Sequence, residues 1–319
     1  MFYSIRHVKR FRYSAPVRES AMALYMQPRT EARQRLQAFQ VQILPHAQLF
    51  AYSDYLGNAV YHFDVPGAHD TLTITAESAV EMADPEPLPD ALPAAAWDTL
   101  RDGAARGDHW DMLHDSHYIR SSEMLSDFEN SLNLHRDTDP LTGLKELNTA
   151  LFSHFDYVPD ATHVDSQITD ALKDGKGVCQ DFAHIMIALV RNKGIPCRYV
   201  SGYVYRTMDS DDRSIEGASH AWIEAYLPDL GWVGFDPTNN VIAAERHIRV
   251  AVGRDYADVP PTRGAFKGGA ASELAVAVTV LPTEAPAHHE DFLRIVRPMP
   301  PAPQQELEPF QQQEQQQQQ

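Results

Sequence analysis

Hydrophobic and polar positions alternate along the first eighty residues, and then the period changes. Leu36 to Leu44 (Leu-Gln-Ala-Phe-Gln-Val-Gln-Ile-Leu) alternates almost strictly from Gln37 to Ile43, the pattern of a half-buried strand, and Pro45 stops it. Phe2–Tyr13, Met22–Gln27, Gln48–Tyr55, Asn58–Val65 and Thr71–Val80 read as further short strands. Leu56-Gly57-Asn58 reads as the hairpin turn between the fourth and fifth of the six. Strands at this spacing with no helix between them predict an antiparallel, sandwich-like or open-barrel domain over residues 1–83. No residue cluster there looks chemical, so the segment reads as a scaffold or as a gate for substrate.

Ala83-Asp84-Pro85-Glu86-Pro87-Leu88-Pro89-Asp90 is a proline-rich, acidic linker by composition. Beyond it, residues 93–102, 123–132 and 140–154 have helical spacing. In the last of these Leu141, Leu144, Leu147, Leu151 and Phe155 form a stripe, and Asp139-Pro140 supplies a cap and a first-turn proline. Phe155–Val158 leaves as an extended piece, and Thr169–Leu172 reads as a helical turn. The loop Gly175-Lys176-Gly177 then runs into Phe182, Ile185, Met186, Leu189 and Val190, spaced by threes and fours as on one face of a helix. Gly194 and Pro196 end that helix. Cys197–Tyr205, Ser219–Leu227, Trp232–Asp236 and Glu273–Val280 read as strands. One helix on an antiparallel sheet predicts an α+β domain over residues 84–282. Residues 283–319, rich in Pro and ending in a glutamine run, read as a disordered tail.

Composition narrows the function classes. The chain has 319 residues, 43% hydrophobic and 22% charged, with a net charge of −17. That charge argues against non-specific binding to nucleic acid or to an anionic membrane. Two cysteines, Cys179 and Cys197, make no disulfide framework and suit a reduced compartment. The first ten residues carry charges where a signal peptide needs its apolar core, and no run approaches the ~20 apolar residues of a membrane span. The expectation is a cytoplasmic protein whose oligomeric state is left open.

The chemistry centres on Cys179, placed at or within one residue of a helix N-terminus. Unpaired amide groups and the positive end of the dipole there favour a thiolate, the nucleophilic form. Such a nucleophile needs a base, and the base needs a third group to orient it. His220 begins a strand on which His220, Trp222, Glu224 and Tyr226 share one side. Two strands joined at Pro228–Gly231 pair residues whose numbers sum to about 459, which brings Asp236 near residue 223 and so near His220. Asp181 reads as a helix-start carboxylate rather than a proton carrier, and Cys197 as a buried strand start. His109, His114 and His117 lack the cysteine or carboxylate spacing of a metal site. No glycine-rich loop follows a strand to hold a nucleotide. No cofactor and no metal are expected.

Four blocks carry a resemblance: Gly177-Val178-Cys179-Gln180-Asp181-Phe182-Ala183; Gly194-Ile195-Pro196-Cys197-Arg198 with Val200-Ser201-Gly202-Tyr203; Ser219-His220-Ala221-Trp222-Ile223-Glu224; and Gly231-Trp232-Val233-Gly234-Phe235-Asp236-Pro237-Thr238. In order and spacing they are similar to the transglutaminase-like superfamily of Cys-His-Asp enzymes. His7, Tyr13, Pro16-Val17, Ser20, Asp54 and Gly57-Asn58 resemble the β-domain of bacterial members, as does Gly253–Pro261 after the core. The resemblance spans residues 1–282 and implies a papain-like core, with Cys179 as nucleophile, His220 as base and Asp236 as orienting acid. It implies acyl transfer at an amide or peptide carbonyl of a peptide or protein substrate, through a thioester. The Cys179 N–H would meet the oxyanion, with Tyr157 or Gln180 as second donor. Trp222, with Trp232 and Tyr203, would line the acyl pocket unless these rings are core. Hydrolysis and transamidation stay unseparated, with hydrolysis preferred. The rival reading is a non-catalytic module that presents its groove to a protein partner.

Overall fold

The computed structural model describes residues 1–284 apart from 32, 133–137, 160, 163–164, 208–211 and 215–216. The alternating N-terminal runs form fewer and longer strands than their pattern predicts. Strand β1 (Phe2–Leu24) merges the first two expected strands, and β4 (Ala59–Met82) merges the last two; between them lie β2 (Gln34–Leu44) and β3 (Phe50–Ser53). The expected breaks lie between Tyr13 and Met22 and between Val65 and Thr71. The β1–β4 pair absorbs both as register shifts between Arg12 and Val17 and between Val17 and Glu19. A proline cannot donate to the ladder, but a bulge leaves one residue unpaired and lets the strand continue. The β3–β4 turn forms as expected. The Asp54 carboxylate accepts the Leu56 and Asn58 N–H groups, and Gly57 takes φ 76°.

After the linker come α1 (Ala96–Arg106), α2 (Glu123–Ser131) and α3 (Pro140–His154). The Asp139 side chain accepts the N–H groups of Leu141 and Thr142, and Pro140 occupies the first turn. The stripe from Leu141 to Phe155 is buried throughout. Strand β5 (Asp156–Tyr157) pairs in parallel with β6 (Lys176–Gly177) around the short helix α4 (Ile168–Asp174), and α5 (Cys179–Asn192) follows at once.

Helix α5 packs on a five-stranded sheet of β7 (Cys197–Val204), β8 (His220–Leu227), β9 (Gly231–Asp236), β10 (Val241–Ile242) and β11 (His247–Gly253), in the order β10-β9-β8-β7-β11. Ala221, Ile223, Ala225 and Leu227 of β8 join Phe182, Ile185, Met186 and Leu189 of α5 in one core. Trp222 packs with Val200 and Val252 in a separate cluster. Period-2 alternation thus sorts β8 into a helix-facing row and an opposite row, as its sequence predicts.

The last strands do not stay with this sheet. β12 (Thr262–Phe266) and β13 (Ser272–Thr283), which a linear division groups with residues 84–282, pair with β1 of the first sheet. β13 runs along Phe2–Tyr13 and β12 along Ser20–Leu24, while β1 also pairs with β4. The two sheets therefore belong to one compact unit. No helix among the described residues is long and apolar enough to cross a membrane. The tail expected at 283–319 lies outside the described residues from 285 onward.

Candidate active site

Cys179 is the first residue of α5 and is half-buried. The turn before it is held by Asp181, whose carboxylate accepts the Val178 N–H at 2.8 Å and the Thr162 hydroxyl. Asp181 is 2% exposed, and burial, the largest influence on it, raises its pKa. It acts as the helix-start carboxylate the sequence suggests. Gly177 is required by this packing, because a Cβ there would lie 2.8 Å from the Asp181 side chain. The loop and cap fix where the sulfur sits relative to the first free N–H groups of the helix.

His220 begins β8 and is 4% exposed. Its Nε2 lies 2.8 Å from Asp236 Oδ2, and Asp236 is wholly buried. The β8–β9 register pairs Ile223 with Phe235, a sum of 458, one short of the value read from the turn. That register brings the imidazole and the carboxylate to the same end of the sheet. His220 Nδ1 is buried and makes no hydrogen bond of ordinary geometry, yet Cys179 is close enough to act on the ring. Burial opposes the charged imidazole; the attraction and hydrogen bond of Asp236, then Cys179, outweigh it and raise the pKa to about 10. For Asp236 burial likewise opposes the charge, and His220 and then His247 hold the carboxyl well below its usual range. The ring is thus held as an imidazolium between a carboxylate and a sulfur.

Two groups around Asp236 escape a reading of the sequence. His247 of β11 places Nε2 3.2 Å from Asp236 Oδ2, and the Asn239 amide donates to the same oxygen at 2.7 Å. Oδ1 accepts the Thr238 and Asn239 N–H groups. The Asn239 side-chain oxygen Oδ1 itself accepts the N–H groups of Arg213 and Ser214. His247 lies eleven residues and two strands from Asp236, so no local pattern joins them; only the sheet order does. The ligand atoms of His220, Asp236 and His247 lie within 4.8 Å of one another, a grouping that can resemble a metal site. Hydrogen bonds from both rings to one carboxylate oxygen account for their closeness.

The remaining predicted residues are placed less uniformly. Gln180 is 7% exposed in the first turn of α5, and Tyr157 is half-buried on β5 with its ring 6.5 Å from that of Phe182. Trp222 has no exposed surface, so it is core rather than the wall of an open pocket. Its ring stacks beside His220 at 6.1 Å and meets His247 edge-on at 5.2 Å. Gly202 makes room for it, since a Cβ there would lie 2.5 Å from the indole. Tyr203 is likewise buried, bonded through its hydroxyl to His7 Nδ1 at 2.9 Å. His109 packs on Tyr226 and Trp232, and His114 on Trp110. A further aromatic, Tyr256 in the loop after β11, comes close to Cys179. Burial, then Tyr118 and then Cys179, raises its phenol to about 12, and its N–H donates to His184 Nε2 at 3.1 Å.

A helix-borne cysteine set against an antiparallel sheet that carries a paired histidine and aspartate defines the papain-like class of fold. Within it, the chain belongs to the transglutaminase-like superfamily. Residues 132–237 match the transglutaminase-like superfamily core, and residues 3–81 match the bacterial transglutaminase-like N-terminal region. An uncharacterised protein of Mycobacterium leprae (strain TN) is 34% identical over 275 residues, 86% of this chain and 96% of its own. A protein-glutamine gamma-glutamyltransferase of Pseudomonas aeruginosa is 36% identical over 92 residues, 28% of this chain and 14% of its own. A crystal structure from Cytophaga hutchinsonii, described as a candidate cysteine protease, shares the fold with a TM-score of 0.67 at 20% identity, over 90% of this chain and 92% of that one.

Proposed function

We propose that the chain is a cysteine-dependent acyl-transfer enzyme acting at amide or peptide carbonyls, with Cys179 as nucleophile, His220 as acid and base, and Asp236 as the group that orients the ring. The observation that carries this reading is the buried His220, bonded at 2.8 Å to Asp236 through Nε2, with Nδ1 left without a partner and Cys179 near enough to act on the ring. In the first half-reaction the Cys179 thiolate attacks the carbonyl carbon, and the oxyanion meets the N–H groups at the start of α5. The C–N bond breaks, the His220 Nδ1 proton passes to the departing amine, and a thioester forms. In the second, His220 takes a proton from water or from an incoming amine. That nucleophile displaces the sulfur, and the thiolate is restored. The name of the Pseudomonas relative describes gamma-glutamyl transfer and fits the amine branch; the hydrolytic branch uses the same groups with water.

Iodoacetamide labelling at pH 6 tests the reading. Cys179 should react fast, and His220→Ala should slow it. Cys197 serves as an internal control, because it has no exposed surface and burial raises its thiol to about 12. The second arm is turnover of a peptide-amide library by Cys179→Ala, where undiminished activity would falsify the proposal.

A further inference from the structure

Asp236 receives more donors than the orientation of one imidazole requires. His247 Nδ1 accepts the Ala244 N–H at 3.4 Å, so the proton of a neutral ring must sit on Nε2, the nitrogen facing Asp236. The His247 side chain is 3% exposed, and burial, the largest influence, outweighs Asp236 and keeps the ring neutral. Among the described residues, charged groups near this cluster include His220 on β8 and Arg246 beside β11, and Cys179 acts on His220. A neutral donor can hold a carboxylate without adding a second cation to it.

We propose that His247 is a positioning residue for the reaction: its Nε2–H takes up part of the Asp236 charge and thereby keeps His220 able to release its proton. This rests on the acyl-transfer reading above. The two half-reactions make opposite demands on His220. The first needs an imidazolium that donates to the leaving amine; the second needs a neutral ring that accepts from water or an incoming amine. In the thioester the sulfur carries no charge, so Asp236 is the anion that holds the ring's proton. A wholly buried carboxylate with few donors would hold that proton too tightly. A donor on the carboxylate stabilises it most when the neighbouring ring is neutral, because the negative charge is then otherwise uncompensated. His247, with Asn239, therefore favours the form of His220 that the second half-reaction uses.

The test uses the full chain. In a Cys179→Ala background, ¹⁵N-histidine NMR follows the titration of His220, its signal assigned by its absence in His220→Gln. His247→Leu should move the His220 midpoint up by about one pH unit, the size expected for loss of one hydrogen bond to a charged acceptor. His247→Asn, whose amide stops short of Asp236, should do the same, and His247→Gln, whose amide reaches, should restore the original midpoint. With Cys179 intact and p-nitrophenyl acetate as probe, the acylation burst should persist while the later steady phase slows about tenfold in His247→Leu and His247→Asn. An unmoved midpoint in folded His247→Leu and His247→Asn overturns the proposal. Where His247→Leu loses its thermal unfolding transition, the contrast between Asn and Gln decides. The midpoint is read without the sulfur, so an inert Cys179 in the unaltered chain would sink the acyl-transfer reading separately.

Discussion

Asp236 is the residue on which the charge state of the site turns. It is wholly buried, accepts five hydrogen bonds and faces an imidazole raised to about 10. An uncompensated carboxylate at such depth would be neutralised; here the donors keep it ionised. Asp236→Asn keeps the shape and removes the charge. Burial then acts on His220 with less opposition, and the ring loses its proton more readily. Alkylation of Cys179 at pH 6 should fall once the imidazole's pKa has dropped below that pH, by about a decade in the charged fraction for each further pKa unit. An unchanged rate in that variant would mean that the sulfur is activated by the helix terminus alone. His220 and Asp236 were legible in the sequence because turn arithmetic works across a single hairpin. His247 was not, because its strand joins the sheet on the far side of β7.

Strand β11 is the element that links the two sheets. It forms one edge of the second sheet, and side chains from the first sheet cover that edge. Gln34 has no exposed surface; its amide donates to the Arg29 and Arg249 carbonyls and accepts the Arg249 N–H, each at 2.7 Å. Asn58 makes the same reciprocal pair with Val252, at 2.8 and 2.9 Å. The two amides do for β11 what a neighbouring strand would do. Arg249 adds ion pairs to Glu31 at 2.7 Å and to the buried Glu224 at 3.1 Å. Gln34→Ala takes the Gln34 partner from the Arg249 N–H and the Arg29 carbonyl, while the Arg249 carbonyl keeps the Arg29 N–H at 3.0 Å, and should cost about 2–6 kcal/mol in urea unfolding, at about 1–3 kcal/mol for each unsatisfied group. It should also raise the His220 midpoint, since β11 carries His247. A loss of stability with an unmoved midpoint would uncouple the edge from the site.

At the scale of the molecule, the return of β12 and β13 to β1 makes the described residues one unit. A chain ending at Asp258 would strip β1 of both partners on that edge and leave it bonded to β4 alone. It should lose the single cooperative unfolding transition of the full chain; an unaltered transition would show that the last strands are dispensable. The site also sets how stability depends on pH. His220 is raised from 6.5 to about 10, so its contribution is complete below about pH 6.5 and is lost as pH climbs toward 10. Asp236 is lowered from 3.8, so its contribution is present above that value and is lost as pH falls below it. Unfolding free energy should therefore decline above about pH 6.5, while the buried histidines held below 6.5, His7, His184 and His247, should make it fall below that pH as well. Asp236→Asn should flatten that decline, and a decline of unchanged slope would assign it to other groups.

What the sequence determined by itself is whatever depends on neighbours in the chain. The α3 cap at Asp139, the stripe on α5, the two rows of β8 and the approach of Asp236 to His220 across one hairpin are all local in this sense. Each is dictated by a fixed period or by a turn of known length. Only the tertiary structure decided the rest: that the expected strand breaks become register shifts within long strands, that β13 returns to the first strand with Phe2 opposite Thr283, 281 residues later, that Trp222 is core, and that a second histidine stands on Asp236. These depend on which surfaces meet once hydrophobic faces have been buried, and sequence separation carries no information about that.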